Sequence, residues 1–468
     1  MSKGGGVKVI VVGAGLAGSL LTVMLARRGL AVELIERRGD LRATAGSAGR
    51  SINLALSTRG IAALARIGLV DDVLAGTMPM AGRRMHALDG SETFQPYGQP
   101  GQVIHSVSRR LLNEALLNAA AAQANVTLRF DSRVDDVDLA GPAVIIDGAR
   151  VEADLVVGAD GIFSAVRDRM MRQGRFDYEQ TYLEHGYKEL EVGKTSAGGF
   201  ALDPGALHIW PRGDYMLIAL PNADRSFTMT LFARHSGVDS FEEAGEGAQA
   251  TAWFAARFPD AAALLPDLAQ QWSANPTSDL ATIRCAPFHF GSTAVLIGDA
   301  AHAVVPFYGQ GMNAAFESVE VFCDLLDAHG GDFAAALPAF TAARKEDADA
   351  IRQLALDNFV EMRAKVADPL FLLRRRLGRA LAHVAGADFA PLYSMVTFST
   401  LPYRSALQLG RAREAWIDGH AARLLANDDT ASDDTISDAV VDALAAHLYA
   451  ALLAGDVPPG VRAPATDA

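Results

Sequence analysis

Short, continuous apolar runs that stop at glycine and an acidic residue recur along this chain. Val7–Val12 leads into Gly13-Ala14-Gly15-Leu16-Ala17-Gly18, Ala31–Ile35 ends at Glu36, the run from Asp154 ends at Asp160-Gly161, and Ala294–Ile297 ends at Gly298-Asp299. Runs of this length, bounded by turn residues, predict buried strands of the parallel type. Between the first two, a helix is expected up to about Arg28, stopped by Gly29. Ser51–Ser57 alternates in part between polar and apolar, which predicts a strand with one buried face, followed by a short helix from Ile61 to Ile67 closed by Gly68. An extended run at Val103–Val107 precedes a helix from Arg110 to Ala122, with Ser108 as its N-cap.

Other stretches have a different texture. Arg83, Arg84 and Tyr97 flank a turn at Asp89-Gly90, so a hairpin would bring Arg83 and Tyr97 together. Ala206–Ala233 reads as a meander of three strands with turns at Pro211–Asp214 and Pro221-Asn222, and Glu242–Asp267 reads as Ala-rich helix. Pro306, Gly309 and Gly311 form a loop that feeds a helix from Met312. The last stretch, Gly455 to Ala468, is rich in Pro, Gly and Ala and is expected to fray.

Composition narrows the class. With 468 residues, half of them hydrophobic, the chain buries a large core and is expected to form two or three intertwined subdomains. Its two cysteines, Cys285 and Cys323, are far apart and match no metal or CxxC pattern, which points to a reducing compartment, to no metal site, and away from a disulfide reductase. A net charge of −13 argues against nucleic acid or anionic membrane as the main partner. The N-terminus lacks a signal-peptide layout, and the apolar stretch Ala439–Leu453 is too short to span a bilayer and is interrupted by Asp442 and His447. A cytoplasmic protein without a membrane anchor, monomer or homodimer, is the expectation.

The strand, Gly13-x-Gly15-x-x-Gly18, helix, strand and Glu36 stand in the register of a dinucleotide fold. Gly13 permits the tight turn, Gly15 lets backbone approach a pyrophosphate, Gly18 lets helix and strand pack closely, and Glu36 accepts from ribose hydroxyls. This much does not distinguish a flavin from a nicotinamide dinucleotide. Asp160-Gly161, with Arg167 in a following helix, and Gly298-Asp299 add two more cofactor-facing loops, and no second GxGxxG is present. Asp299 suits a ribityl hydroxyl, and Ala55 is small enough for a planar ring to lie against its backbone. Arg109 is placed to neutralise a pyrophosphate.

This spacing resembles the flavin-dependent aromatic hydroxylases, the class that includes p-hydroxybenzoate hydroxylase. Five further blocks narrow the resemblance to the kynurenine 3-monooxygenase family: Gly49–Ser57, Arg175–Leu190, His208–Asn222, Gly298–Ala314 and Pro391–Ser399. The resemblance covers about Val7 to Tyr403. It implies an α/β fold in which a Rossmann-like FAD-binding domain (1–75, 101–175, 285–345) is interleaved with a smaller β-sheet substrate domain (76–100, 176–284), followed by C-terminal helices (346–468). It implies bound FAD, with NADPH and O₂ as co-substrates, and oxygen transfer through a flavin hydroperoxide to L-kynurenine, at the ring carbon ortho to the amino group. The aniline nitrogen activates that carbon, so no catalytic acid or base is assigned.

The resemblance assigns cofactor contacts to Gly13, Gly15, Ala17, Gly18, Glu36, Arg38, Ala55, Arg109, Val134, Asp160, Asp299, Met312 and Asn313. It assigns the substrate carboxylate to Arg83, Tyr97, Asn358 and Tyr393, with Arg84 as a rival to Arg83. Phe232, Pro306, Phe307 and Tyr308 are expected to line the ring slot, and Gln310 to bond the side-chain carbonyl of the substrate. His302 is expected to have a structural role in the cofactor loop. A lid is expected to shield the reaction from water, with ligand binding altering the rate at which NADPH reduces the flavin. Eukaryotic relatives carry a C-terminal anchor, and the segment after Leu409 contains no stretch long enough for one. Two rival readings remain: a flavin hydroxylase acting on another anthraniloyl or phenolic compound, and a non-catalytic FAD-binding ligand sensor.

Overall fold

The computed structural model describes residues 6–43, 53–364, 369–426 and 436–462. Gly49–Ile52, which open one of the family-like blocks, and the expected frayed residues beyond 462 lie outside the described residues.

The apolar runs become the centre of a six-stranded sheet in the order His289–Phe290, Ala294–Leu296, Leu155–Gly158, Lys8–Val12, Ala31–Ile35 and Val126–Arg129. All neighbours pair in parallel except the edge strand His289–Phe290. The strands are continuous in hydrophobicity because both faces are covered: Val9, Ile10 and Val11 are fully buried, as are Leu20, Leu21 and Val23 of the helix Leu16–Arg27. The acidic residues that end these strands therefore lie at one edge of the sheet, at the carboxyl ends where ligands bind in open α/β folds.

A second sheet of seven strands runs in the order Ser278–Ala286, Asp177–Val192, Phe227–Arg234, Tyr215–Pro221, Ala206–Arg212, Gly82–His86 and Glu92–Pro96. It joins the predicted hairpin to the predicted meander, with Gly82–His86 pairing antiparallel to Glu92–Pro96 and parallel to Ala206–Arg212. Its two faces follow the period of a strand. Tyr215, Leu217 and Ala219 pack with Met229, Leu231 and Ala233 under the helices Phe241–Ala244, Gly247–Arg257, Pro259–Ala262 and Leu268–Ala274. Met216, Ile218, Leu220, Thr230 and Phe232 point the other way, into a cavity.

A small sheet, Asn53–Leu56, Ile104–Ser108 and Met78–Met80, closes that cavity on another side. The C-terminal part is helical, from Phe333–Ala364 through Asp438–Ala454. Among the described residues no helix is long and apolar enough to cross a membrane.

Candidate active site

The two large sheets and the small one enclose a cavity of about 560 Å³. At one end it is walled by the glycine turn. Gly13 adopts φ +103°, a conformation that disfavours any residue with a Cβ, and its amide donates to the carbonyl of Ile35 at 2.7 Å. A Cβ on Gly18 would sit 2.0 Å from the Gly13 carbonyl oxygen, so helix and turn touch there. A Cβ on Gly15 would meet no atom within 4 Å, and Gly15 and Ala17 face the cavity. The packed glycine and the open one differ as the dinucleotide reading requires.

Glu36 is held in place before any ligand arrives. One carboxylate oxygen accepts from the Ala14 amide and the other from the Arg38 amide and side chain, each at 3.0 Å. Arg38 and Val134 line the same end of the cavity. Ser108 caps the helix Arg109–Ala121 as expected, and Arg109, its first residue, faces the cavity. Among the described residues Arg109 makes no ion pair.

Asp160 and Asp299 end their strands facing the same space. One Asp160 oxygen accepts from the Ala165 amide at 2.7 Å, while the other is buried without a hydrogen-bond partner among the described residues. Burial pushes the Asp160 carboxyl up, against the hydrogen bonds it accepts. The Asp299 carboxylate is open to the cavity yet deep within the protein, and this burial raises its pKa while Arg109 draws it back down. An open backbone cradle, a carboxylate oxygen and a guanidinium without partners among the described residues, and a carboxylate facing the cavity form a set that fits FAD: amides and Arg109 for the pyrophosphate, Glu36 and Asp299 for ribose and ribityl hydroxyls.

The wall for the ring is built by Ala55 and the loop at Pro306–Tyr308, a single 3₁₀ turn. Gly309 follows at φ +68°, and a Cβ there would come 2.9 Å from the Ala55 Cβ. Met312 lines the cavity in the first turn of the helix Gly311–Ala328, where N–H groups have no partner within the helix. Asn313 is fully buried and staples these pieces together. Its amide donates to the carbonyls of Ala55 at 2.8 Å and Gly309 at 2.9 Å, and its oxygen accepts from the Ser57 amide. Its side chain is thus committed to the wall.

Further along lie the residues expected at the substrate. Arg83 is 8 % exposed, forms no ion pair among the described residues, and has an unpartnered Nε. Its guanidinium carbon is 4.8 Å from the ring centroid of Tyr393 and 5.6 Å from that of Tyr97. The rings of Tyr97 and Tyr393 stack at 5.6 Å, and Tyr308 stacks on Tyr393 at 5.4 Å. Arg84 points away, paired with Asp203 at 2.8 Å and Glu92 at 3.4 Å. Burial raises Tyr97 and Tyr308, so both phenols are neutral donors. Phe232 and Phe307 approach at 5.0 Å and, with Pro306, border the apolar slot.

Of the other two residues expected at the substrate, one borders an adjoining cavity and one is turned away. Asn358 is buried and its amide donates to the Phe307 carbonyl at 2.7 Å, which fixes the 3₁₀ turn; it lines an adjoining cavity of about 1070 Å³ that Arg83, Tyr97, Tyr308 and Tyr393 border as well. Gln310 is turned back into the protein, because its amide donates to the Ser57 hydroxyl at 3.3 Å and its oxygen accepts from Tyr403 at 2.9 Å. His302 is buried against the Ser318 hydroxyl at 3.0 Å, and burial, aided by the charge of Arg344, lowers its pKa to about 3. It is neutral at working pH and lies within the cofactor loop, with a structural role.

Sequence reading did not single out Tyr187 and Glu189, which also face the cavity. The alternation of the strand Asp177–Val192 selects them: Lys188, between them, is buried on the opposite face of the sheet and donates to the carbonyls of Trp272 and Asn275 at 2.9 and 2.6 Å. Alternation was visible in the sequence; which face was inward was not.

A parallel sheet with its glycine turn, two strand-end carboxylates and an adjoining aromatic slot define a flavin-dependent aromatic monooxygenase. Residues 6–337 match the FAD binding domain family. The oxygenase of 2-methyl-3-hydroxypyridine-5-carboxylic acid shares the fold, with a TM-score of 0.65 at 22% identity over 78% of this chain and 95% of its own. Kynurenine 3-monooxygenase of Myxococcus xanthus is 45% identical over 89% of this chain and 90% of its own length. That of Xanthomonas oryzae is 46% identical over 85% and 88%. The chain belongs to the kynurenine 3-monooxygenase family.

Proposed function

We propose that this protein hydroxylates L-kynurenine to 3-hydroxykynurenine with NADPH and O₂. The observation that carries this reading is Arg83, a buried guanidinium without an ion pair among the described residues, beside two phenols and at the end of an aromatic slot. The charge of Glu361 favours the cation without forming an ion pair with it, so a buried guanidinium lacks a contacting counter-ion, which is costly, and a bound carboxylate offsets that cost. A planar fork with adjoining phenol donors suits the carboxylate of an amino acid.

FAD, when bound, supplies the electron transfer from NADPH and the activation of oxygen. The protein's part is positioning. Arg83, Tyr97 and Tyr393 anchor the amino-acid end. Phe232, Pro306 and Phe307 hold the aniline ring in an apolar slot against the wall formed by Ala55 and Met312. Asn358 acts one step back, by fixing the Phe307 carbonyl. The neutral His302 and the raised phenols supply no base in the slot, and none is required, because the ring amino group already activates the carbon ortho to it. Burial by aromatic side chains keeps water from the reacting atoms.

The test is to incubate the purified yellow protein with NADPH, O₂ and L-kynurenine and to search by mass spectrometry for a product heavier by one oxygen. The expected product is 3-hydroxykynurenine. Folded, FAD-loaded protein that yields none would refute the reading, and turnover of another anthraniloyl compound in its place would redirect it.

A further inference from the structure

One buried charge has no part in the scheme above. Arg59 follows the cavity-wall strand Asn53–Leu56 by three residues and is completely inaccessible to solvent. Its guanidinium lies 4.0 Å from the ring centroid of Tyr403 and reaches three groups. It donates to the carbonyl of Val396 at 3.5 Å, to the carbonyl of Leu401, and to the carboxylate of Glu317. Val396 belongs to the short helix Leu392–Thr397 that carries Tyr393, and Glu317 to the helix whose first turn carries Met312.

From these contacts two chains of polar bonds run back to the cofactor wall. In one, Glu317 pairs with Arg344 at 2.8 Å, and Arg344 donates to the Ser318 hydroxyl at 3.3 Å. Ser318 in turn meets His302, three residues beyond Asp299, at 3.0 Å. In the other, the Tyr403 hydroxyl donates to Gln310, Gln310 to Ser57, and the Ser57 amide to Asn313, which holds the Ala55 carbonyl. Both chains therefore join the Tyr393 helix to segments that face the cofactor.

A buried ion pair adds little net stability compared with well-packed apolar side chains, since desolvation cancels most of the attraction. What a guanidinium adds is fixed geometry: a planar fork holding a carboxylate and two carbonyls at set directions, which an ammonium on a flexible stem does not reproduce. We propose that Arg59 is the positioning residue that ties the Tyr393 helix to the cofactor wall, so that substrate gripped by Arg83 and Tyr393 sets the geometry in which the flavin is reduced. This inference rests on the proposed function.

The experiment compares Arg59→Lys and the charge-balanced Arg59→Met/Glu317→Gln with the unaltered protein, all loaded with FAD. L-kynurenine is titrated while the flavin absorbance difference spectrum is recorded. Flavin reduction by NADPH is then followed in stopped flow with and without L-kynurenine, and hydrogen peroxide formed per NADPH is measured. In both variants FAD is expected to stay bound and L-kynurenine to bind, while its acceleration of flavin reduction falls about tenfold, in the usual range for coupling between two sites. The ligand-induced difference spectrum is expected to shrink and the peroxide share to rise. Acceleration within about twofold of the unaltered protein, in either variant that holds FAD, would overturn the proposal. Loss of FAD from both variants would overturn it too, making Arg59 a folding residue. If the unaltered protein shows no response to L-kynurenine, the functional reading itself fails.

Discussion

Arg83 and Arg84 are neighbours in sequence and opposites in surroundings. In the strand Gly82–His86 side chains alternate, so Arg83 enters the cavity and Arg84 meets Asp203 and Glu92 at the surface. Truncating a guanidinium that binds a desolvated carboxylate costs about 3 kcal/mol, whereas an exposed ion pair contributes well under about 1 kcal/mol. Arg83→Met is therefore expected to raise KM for L-kynurenine by about 100-fold or more, and Arg84→Met to leave it within about twofold. Steady-state kinetics on both variants decides the matter, and equal effects would mean that the carboxylate is held elsewhere. The sequence carried both arginines and the spacing to Tyr97, but not the face of the strand, which is set by pairing with Ala206–Arg212 more than a hundred residues away. Gln310 illustrates the same gap. The resemblance put it at the side-chain carbonyl of the substrate, yet the 3₁₀ turn and the start of the next helix rotate it towards Ser57 and Tyr403.

At the scale of elements, the glycine turn and the strand-end acids were legible because they are local. Each is a strand, a turn and a helix start within some twenty residues, and backbone geometry alone dictates where glycine must stand. The turn also yields a prediction that separates folding from cofactor binding. Gly18→Ala forces a Cβ against the Gly13 carbonyl at 2.0 Å, so it is expected to lower the melting temperature of apoprotein and holoprotein alike. Gly15→Ala adds a Cβ to open space, so the apoprotein should melt as the parent does, while FAD binds at least about tenfold more weakly because the methyl group occupies the pyrophosphate approach. Melting curves with and without FAD, and fluorescence titration with FAD, distinguish the two. An apoprotein destabilised by Gly15→Ala would show that the space there is needed by the fold. The links between elements were not legible. Arg59 meets Glu317 and Leu401 across separations of 258 and 342 residues, and nothing near it in the chain marks it as more than a helix-surface cation.

At the scale of the whole molecule, the cavity exists because two sheets of different character meet, one supplying strand ends and the other supplying a face. Holding that arrangement places several histidines in dry surroundings, with a consequence for stability. Burial, with Arg344, lowers His302 to about 3, and burial, with His208, lowers His86 to about 4. Both folded values lie below the ordinary value near 6.5, so between these limits the unfolded chain binds more protons than the folded one, and stability falls as pH falls. The contribution is complete above about pH 6.5, and each histidine costs about 2 kcal/mol by pH 5. Glu320, raised by burial to about 7, acts in the opposite direction over part of this range, so the total slope alone does not isolate the histidines. His302→Gln can keep a hydrogen bond to Ser318 but does not titrate. Urea unfolding at pH 7.5 and pH 5 is therefore expected to show a decline about 2 kcal/mol smaller in His302→Gln than in the parent. Parallel declines in the two proteins would mean that His302 takes up its proton without disturbing the fold, and that the Ser318 and Arg344 surroundings of the cofactor loop are wetter than the geometry indicates.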